Sequence, residues 1–136
     1  MLGELIYEGK GKTTGNRILG LDEDGGPTPE VSMSGEGPIK GTIQITDMWT
    51  YWTVTGQRGQ GRGIIMSKDG SNEVVTAVSQ GIGKMSESGN MRYVGANFYS
   101  TISTGKLAFL NNLVGIFESV IDNNSGNYTV KVWEWK

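Results

Sequence analysis

The amino-acid sequence predicts an all-β fold: an antiparallel closed barrel of about eight strands, with at most one short helical turn near residues 105–113. Three observations carry this expectation. The chain places 22 glycines in 136 residues, inside and between short runs rich in Thr, Val, Ile, Tyr and Trp. That is the composition of twisted, bulged antiparallel strands. Turn residues recur at short intervals, with no amphipathic helix between them. The longest strand signals carry internal glycines, which barrel curvature requires. A lipocalin-sized barrel fits the pattern best, and a jelly roll is the alternative. At this length the whole chain, residues 1–136, reads as one domain.

The elements follow in order. Glu4 to Lys12 reads as a first strand; Thr14-Gly15-Asn16 then turns into Arg17 to Leu21, and Asp22-Glu23-Asp24-Gly25-Gly26-Pro27 is an acidic loop. Glu30 to Ser34 is a short strand, punctuated by Gly35-Glu36-Gly37-Pro38. The strongest strand signal runs from Ile39 to Thr55, with Ile43, Ile45, Asp47, Trp49 and Tyr51 on one face; at such length a bulge or break near Asp47 is expected. Gly61 to Ser67 and Glu73 to Gln80 form a hairpin across Asp69-Gly70. Met91 to Ser103 alternates strictly, with Val94, Ala96, Phe98 and Ile102 opposite Tyr93, Asn97, Tyr99, Thr101 and Ser103. Leu107, Leu110, Leu113 and Val114 have helical spacing between Gly105 and Gly115, which suits a single turn that plugs or caps the sheet. Gly115 to Ile121 and Tyr128 to Trp135 close the chain as a hairpin.

Composition removes several functions. Twelve basic and 14 acidic residues give a net charge of −2, and the basic residues are scattered. Nucleic-acid binding needs a concentrated basic footprint, so it is not expected. Histidine and cysteine are absent. The commonest general base and the best neutral-pH nucleophile are therefore missing. No disulfide is possible, and no charged segment precedes a long apolar run at the start, which leads to the expectation of a cytoplasmic protein. The apolar stretch from Leu107 to Phe117 is interrupted and too short to span a bilayer, so no membrane partner is expected. Asn123-Asn124-Ser125 and Asn127-Tyr128-Thr129 fit a glycosylation pattern but read as turns.

Apparent phosphate motifs fail on spacing. Gly83-Lys84 lacks a glycine five residues earlier, where Val78 stands, and is followed by Met85 rather than Ser or Thr. The third glycine of a dinucleotide fingerprint would fall at Met66 or at Ser86. Asp22-Glu23-Asp24 lacks the interleaved ligand spacing of a calcium loop and reads as a solvated turn. No metal and no cofactor are expected.

The aromatic residues are more informative. Trp49 and Tyr51 share a face, Trp52 lies opposite, and Trp133 and Trp135 share a face at the end of the chain. Such residues line ligand cavities but more often fill cores and subunit contacts. Two frayed terminal tryptophans would be an aggregation liability, so Trp133 and Trp135 are expected to be largely buried in a paired strand. Glu118 shares a face with Ile116 and Val120. If that face is inward, Glu118 is a buried carboxylate with a raised pKa and the candidate catalytic group, with Arg92 its counter-ion. A structural ion pair on an exposed strand face is the blander and commoner outcome. The candidate ligand-binding residues are Trp49, Tyr51, Arg92, Asn97 and Tyr99.

Ser103-Thr104-Gly105-Lys106-Leu107-Ala108-Phe109-Leu110, followed by Gly115-Ile116-Phe117-Glu118, resembles a pattern of the small barrels related to allene oxide cyclase and the dirigent proteins. Gly59-Gln60-Gly61-Arg62-Gly63, Asp69-Gly70 and Gly81-Ile82-Gly83 fall in compatible places. The resemblance covers roughly the second half of the chain. It implies an eight-stranded antiparallel barrel with a central cavity, often a homo-oligomer. It does not by itself carry over an activity, because the cyclase cavity residues have no one-to-one match here beyond a strand glutamate at Glu118.

Three functions are then expected, in descending order. The first is non-covalent binding of a small apolar or amphipathic molecule. The second is a cofactor-free isomerase or cyclase in which Glu118 and hydroxyls of Tyr51 or Tyr99 steer a reactive substrate. The third is a solid-core structural or interaction protein.

Overall fold

The computed structural model describes the backbone of residues 2–21, 27–55 and 58–136, and the side chains of the same residues apart from 27 and 51–55. The acidic stretch Asp22-Glu23-Asp24 lies outside the described residues. The strands are β1 (Leu2–Leu21), β2 (Pro27–Ile39), β3 (Ile43–Thr55), β4 (Arg58–Ser67), β5 (Val74–Met85), β6 (Asn90–Ser100), β7 (Val114–Asp122) and β8 (Asn127–Trp135). Each pairs antiparallel with the next, and β1 returns to pair with β8, closing an eight-stranded barrel.

The all-β barrel and the single short helical piece are as expected; several boundaries are not. Thr14-Gly15-Asn16 is no turn. β1 runs straight through it, with register shifts at Thr13/Gly15 and Ile18/Gly20. The turn between β2 and β3 falls instead at Lys40 and Gly41, both with positive φ. Gly35 and Gly37 therefore sit within β2, and no break occurs at Asp47, which pairs with both Gly35 and Ile65. β5 continues past Gln80 through Gly81 and Gly83 to Met85.

The glycines expected to kink strands mostly serve a different purpose. Along a barrel strand alternate positions point inward, and the inward positions of β4, β5 and β6 include Gly59, Gly63, Gly81 and Gly95. Gly59, Gly63 and Gly81 leave space for rings, whereas Gly95 admits the close approach of the β5 backbone at Gln80 and Gly81. A Cβ on Gly63 would lie 2.5 Å from the Trp49 ring, and one on Gly81 would lie 2.9 Å from Phe117. An eight-stranded barrel is just wide enough for side chains, so large residues need small ones beside them.

One end of the barrel is plugged. The 3₁₀ turn Ala108–Leu110 carries Leu107 and Leu110 into the core beside Ile39, Ile45, Ile65 and Val75. Both leucines are fully buried, each contributing roughly 1.5–3 kcal/mol. The buried carboxylate of Glu73 accepts the Leu107 backbone N–H at 3.0 Å, and Lys40 Nζ stands 4.2 Å from the centre of the Phe109 ring. The plug is thus tied to two neighbouring turns. Among the described residues no helix is long and apolar enough to cross a membrane.

The last strand is paired on both sides, yet its tryptophans do not face the core. Val132 is inward, so Trp133 points outward and is half-buried, and Trp135 is 54% exposed. The expectation of burial is corrected for Trp135: pairing secures the backbone but does not cover the outer face.

Gly63→Ala should lower stability by about 1–3 kcal/mol, because the Trp49 ring must move. Gly20→Ala, with nothing within 4 Å of the new methyl, should be neutral or slightly stabilising. Urea unfolding of the two variants checks the contrast, and equal effects would refute the space-filling account.

Candidate functional site

Asp47 is the most deeply buried charged residue of the core, 1% exposed. Its position on β3 between Ile45 and Trp49 on the inward face leaves its carboxylate no route to solvent. Three donors converge on it from three strands. Tyr7 Oη on β1 donates to Oδ1 at 2.6 Å, Trp49 Nε1 on β3 to Oδ2 at 2.9 Å, and Tyr128 Oη on β8 to Oδ2 at 3.3 Å. Burial pushes the Asp47 carboxyl above its usual range, and these three hydrogen bonds, with one from its own backbone N–H, work against that push. Burial, with the carboxylate beside it, also holds the Tyr7 phenol well above its ordinary value, so it stays a donor.

Beside this cluster lies a small chamber of about 30 Å³, walled by residues that include Asp47, Trp49, Asn97, Tyr99, Phe117 and Tyr128. Asn97 is 4% exposed. Its Nδ2 donates to Tyr99 Oη at 3.0 Å, and its Oδ1 is buried without a partner among the described residues. Met33, Phe117 and Ser119 wall this chamber and also a second, larger space. That cavity, about 300 Å³, occupies the barrel end away from the plug. Val31, Met33, Met91, Tyr93, Phe117 and Ile121 provide its apolar wall, with Thr13, Asn16, Ser119 and Asn123 as neutral polar members and Asp122 as a carboxylate.

The residues singled out in the sequence divide between the two faces of the sheet. Trp49, Asn97 and Tyr99 point inward and meet at the small chamber. The side chain of Tyr51 lies outside the described residues. Glu118 and Arg92 both stand on the outer face, in the ion pair that was the commoner of the two outcomes expected for them. Arg92 Nη2 donates to Glu118 Oε2 at 2.9 Å, with the side chains 57% and 41% exposed. The register explains the pair, since Glu118 lies opposite Val94, two residues from Arg92. The alternation fixed which residues share a face but not which face is inside. On β6 the face bearing Val94 and Phe98 is outside, while Tyr93, Asn97 and Tyr99 are inside. A substrate within the barrel cannot reach Glu118.

Sequence reasoning did not single out Asp47 as a buried carboxylate at a candidate site. The signal was a carboxylate on the same face as Ile43, Ile45 and Trp49 within the strongest strand run, which period-two spacing puts in the core. Ser119, Met33 and Phe117, the partition between the two spaces, carry no motif.

Fold and site define an up-and-down eight-stranded barrel plugged at one end, with a cavity among the described residues toward the other. A crystal structure of a protein with unknown function from Clostridium acetobutylicum ATCC 824 has this fold. It superposes with a TM-score of 0.71 over 98% of both chains at 10% sequence identity. No protein-family model matches the chain, and no curated protein matches it.

The raised Asp47 carboxyl gives a pH signature. The folded protein holds this proton more tightly than the unfolded chain, so its contribution to stability falls as pH rises from the ordinary value of 3.8 through the raised one. The stability advantage of the wild type over Asp47→Asn should therefore be largest in acid and shrink with rising pH. The slope should be at most about 1.4 kcal/mol per pH unit. Urea midpoints of both proteins across this range check it, and an advantage that grows with pH would contradict the assignment.

Proposed function

We propose that this barrel binds a small apolar or amphipathic molecule non-covalently in the cavity at its open end. The carrying observation is the cavity itself, about 300 Å³, with a mostly apolar wall and a few placed polar groups. Small-molecule sites have this character, and β-barrel mouths are a preferred location for them. The pattern shared with allene oxide cyclase and dirigent-type barrels supports the same reading. Met33 and Met91 let the wall adjust to the shape of a ligand.

Trp49 lies in the chamber under the cavity floor, so its fluorescence should report occupancy. Titration with medium-chain alcohols, amines, fatty acids, oxylipins and aromatic metabolites should yield saturable changes for at least one class. Ile121→Trp, which fills the half-buried mouth, should weaken that binding by about tenfold or more with little change in melting temperature. No response to any compound, by fluorescence or by thermal shift, would overturn the reading.

The outer face supports a second reading, association with a second copy of the chain. Val78 and Phe98 are paired across β5 and β6, and Ile82 and Val94 likewise; all four are about half exposed. Ala96 and Ile116 on β6 and β7 continue the patch to Trp133 on β8. Such a continuous apolar surface marks a contact site. The bordering row alternates in sign through Glu118, Lys131 and Glu8. Light scattering should show an oligomer that Phe98→Glu dissociates while the fold is kept. A monomeric wild type at high concentration would remove this reading.

A further inference from the structure

We infer that the small chamber beneath the cavity floor seats a primary ammonium group, so that the preferred ligand is an amphipathic amine with its chain in the open cavity and its cationic end against Asp47 and Asn97. This rests on the cavity reading above and adds the chemistry of the ligand's head.

Four observations converge. The first is the Asn97 Oδ1 oxygen, buried without a partner in a wall of the chamber. Buried carbonyl oxygens are nearly always hydrogen-bonded, and this one can only accept, so what is missing is a donor. The second is the Asp47 carboxylate. The ion pairs among the described residues are Arg17–Glu30, Lys68–Glu36, Arg92–Glu118 and Lys106–Asp69, and none reaches it. Two phenols and an indole hold it, but no cation offsets its charge. Its two oxygens accept from the two phenols and the indole, and its own backbone N–H adds a further hydrogen bond, so what the carboxylate lacks is a counter-charge rather than a donor.

The third observation is the wall. Tyr7, Trp49, Tyr99, Phe117 and Tyr128 line the chamber with aromatic rings, a composition that favours an ammonium over a neutral head. The fourth is size. A chamber of about 30 Å³ admits one group of the size of water or ammonium and no larger head. A carboxylate head would face Asp47 with like charge. A hydroxyl would satisfy Asn97 but leave Asp47 uncompensated. An ammonium donates to both and has no lone pair to leave unmatched.

The path from cavity to chamber runs through their shared partition. Met33 is its flexible member, and Ser119 adds a hydroxyl beside Phe117. The titratable groups facing Asp47 are Tyr7 from β1, Tyr128 from β8 and Tyr99 from β6. Ile65 from β4, Met33 from β2, and Phe117 and Ser119 from β7 do not titrate. Among these groups Asp47 is the carboxyl; burial raises its pKa, so it gains its negative charge as pH rises. An alkylamine remains cationic throughout.

Isothermal titration calorimetry of the full chain with hexylammonium, hexan-1-ol and hexanoate tests the proposal. Near neutral pH hexylammonium should bind at least about tenfold more tightly than hexan-1-ol, and hexanoate most weakly. The preference for amine over alcohol should grow as pH rises from about 4 to about 8, because Asp47 must lose its proton to pair with the cation. Asp47→Asn should cut the preference to within about twofold, and Asn97→Ala should reduce it in part. The pH series needs no variant, so it decides the matter even if neither variant folds. Hexan-1-ol binding as tightly as hexylammonium, or a preference that does not vary with pH, would overturn the ammonium seat and leave the cavity reading standing. If none of the three compounds binds, both fall.

Discussion

The structure depends on one constraint of volume: large rings share the interior of an eight-stranded barrel, and each needs a place without a side chain beside it. Inward glycines supply those places. A Cβ on Gly63 would meet the Trp49 ring at 2.5 Å, and one on Gly83 would meet Tyr93 at 2.6 Å. A Cβ on Gly35 would collide with the Tyr128 hydroxyl, and one on Gly9 with that of Tyr7. Ring and glycine are complementary in the way that close-packed cores require. The high glycine content is thus mainly an answer to crowding inside the barrel, and only secondarily a matter of turns.

The polar centre follows from the same packing. Because Gly9 and Gly35 leave room, Tyr7 and Tyr128 can bring their hydroxyls to Asp47. The indole of Trp49, accommodated against Gly63, supplies the third donor. A carboxylate taken out of water costs several kcal/mol unless it is hydrogen-bonded. Here donors from three strands meet that cost together, which couples β1, β3 and β8 through one residue. The rings that fill the core and the group that perturbs its electrostatics are therefore one unit. Asn97 and Tyr99 extend it across the small chamber.

The two ends of the barrel differ for reasons that can be named. At one end Leu107 and Leu110 enter the interior, and Glu73 fixes the turn that bears them. At the other end no comparable segment enters among the described residues, and Met33, Phe117 and Ser119 form a floor beneath an open space. This asymmetry separates a filled core from a usable cavity within a single short chain. Outside, apolar rows on β5 to β8 remain uncovered, so the outer face carries information about association that the interior does not.

The class of fold was legible in the sequence because it rests on local chemistry. Turn residues at Asp69-Gly70, alternation from Met91 onward and the helical spacing of Leu107 and Leu110 each declare an element without reference to the rest of the chain. The same alternation brought Trp49, Asn97 and Tyr99 forward as candidates, and they do meet inside. What local pattern could not supply is which face of a strand is inside. Period-two spacing is symmetric between faces, and on β6 the more hydrophobic side, with Val94 and Phe98, is the outer one. That inversion moved Glu118 and Arg92 to the surface. It left the catalytic-looking position to Asp47, whose three donors come from positions 7, 49 and 128. The sequence by itself determined the elements and their periodicity. Closure of the barrel, pairing β1 with β8 and so bringing Tyr7 and Tyr128 together around Asp47, decided the site, because inside and outside exist only once the sheet is closed.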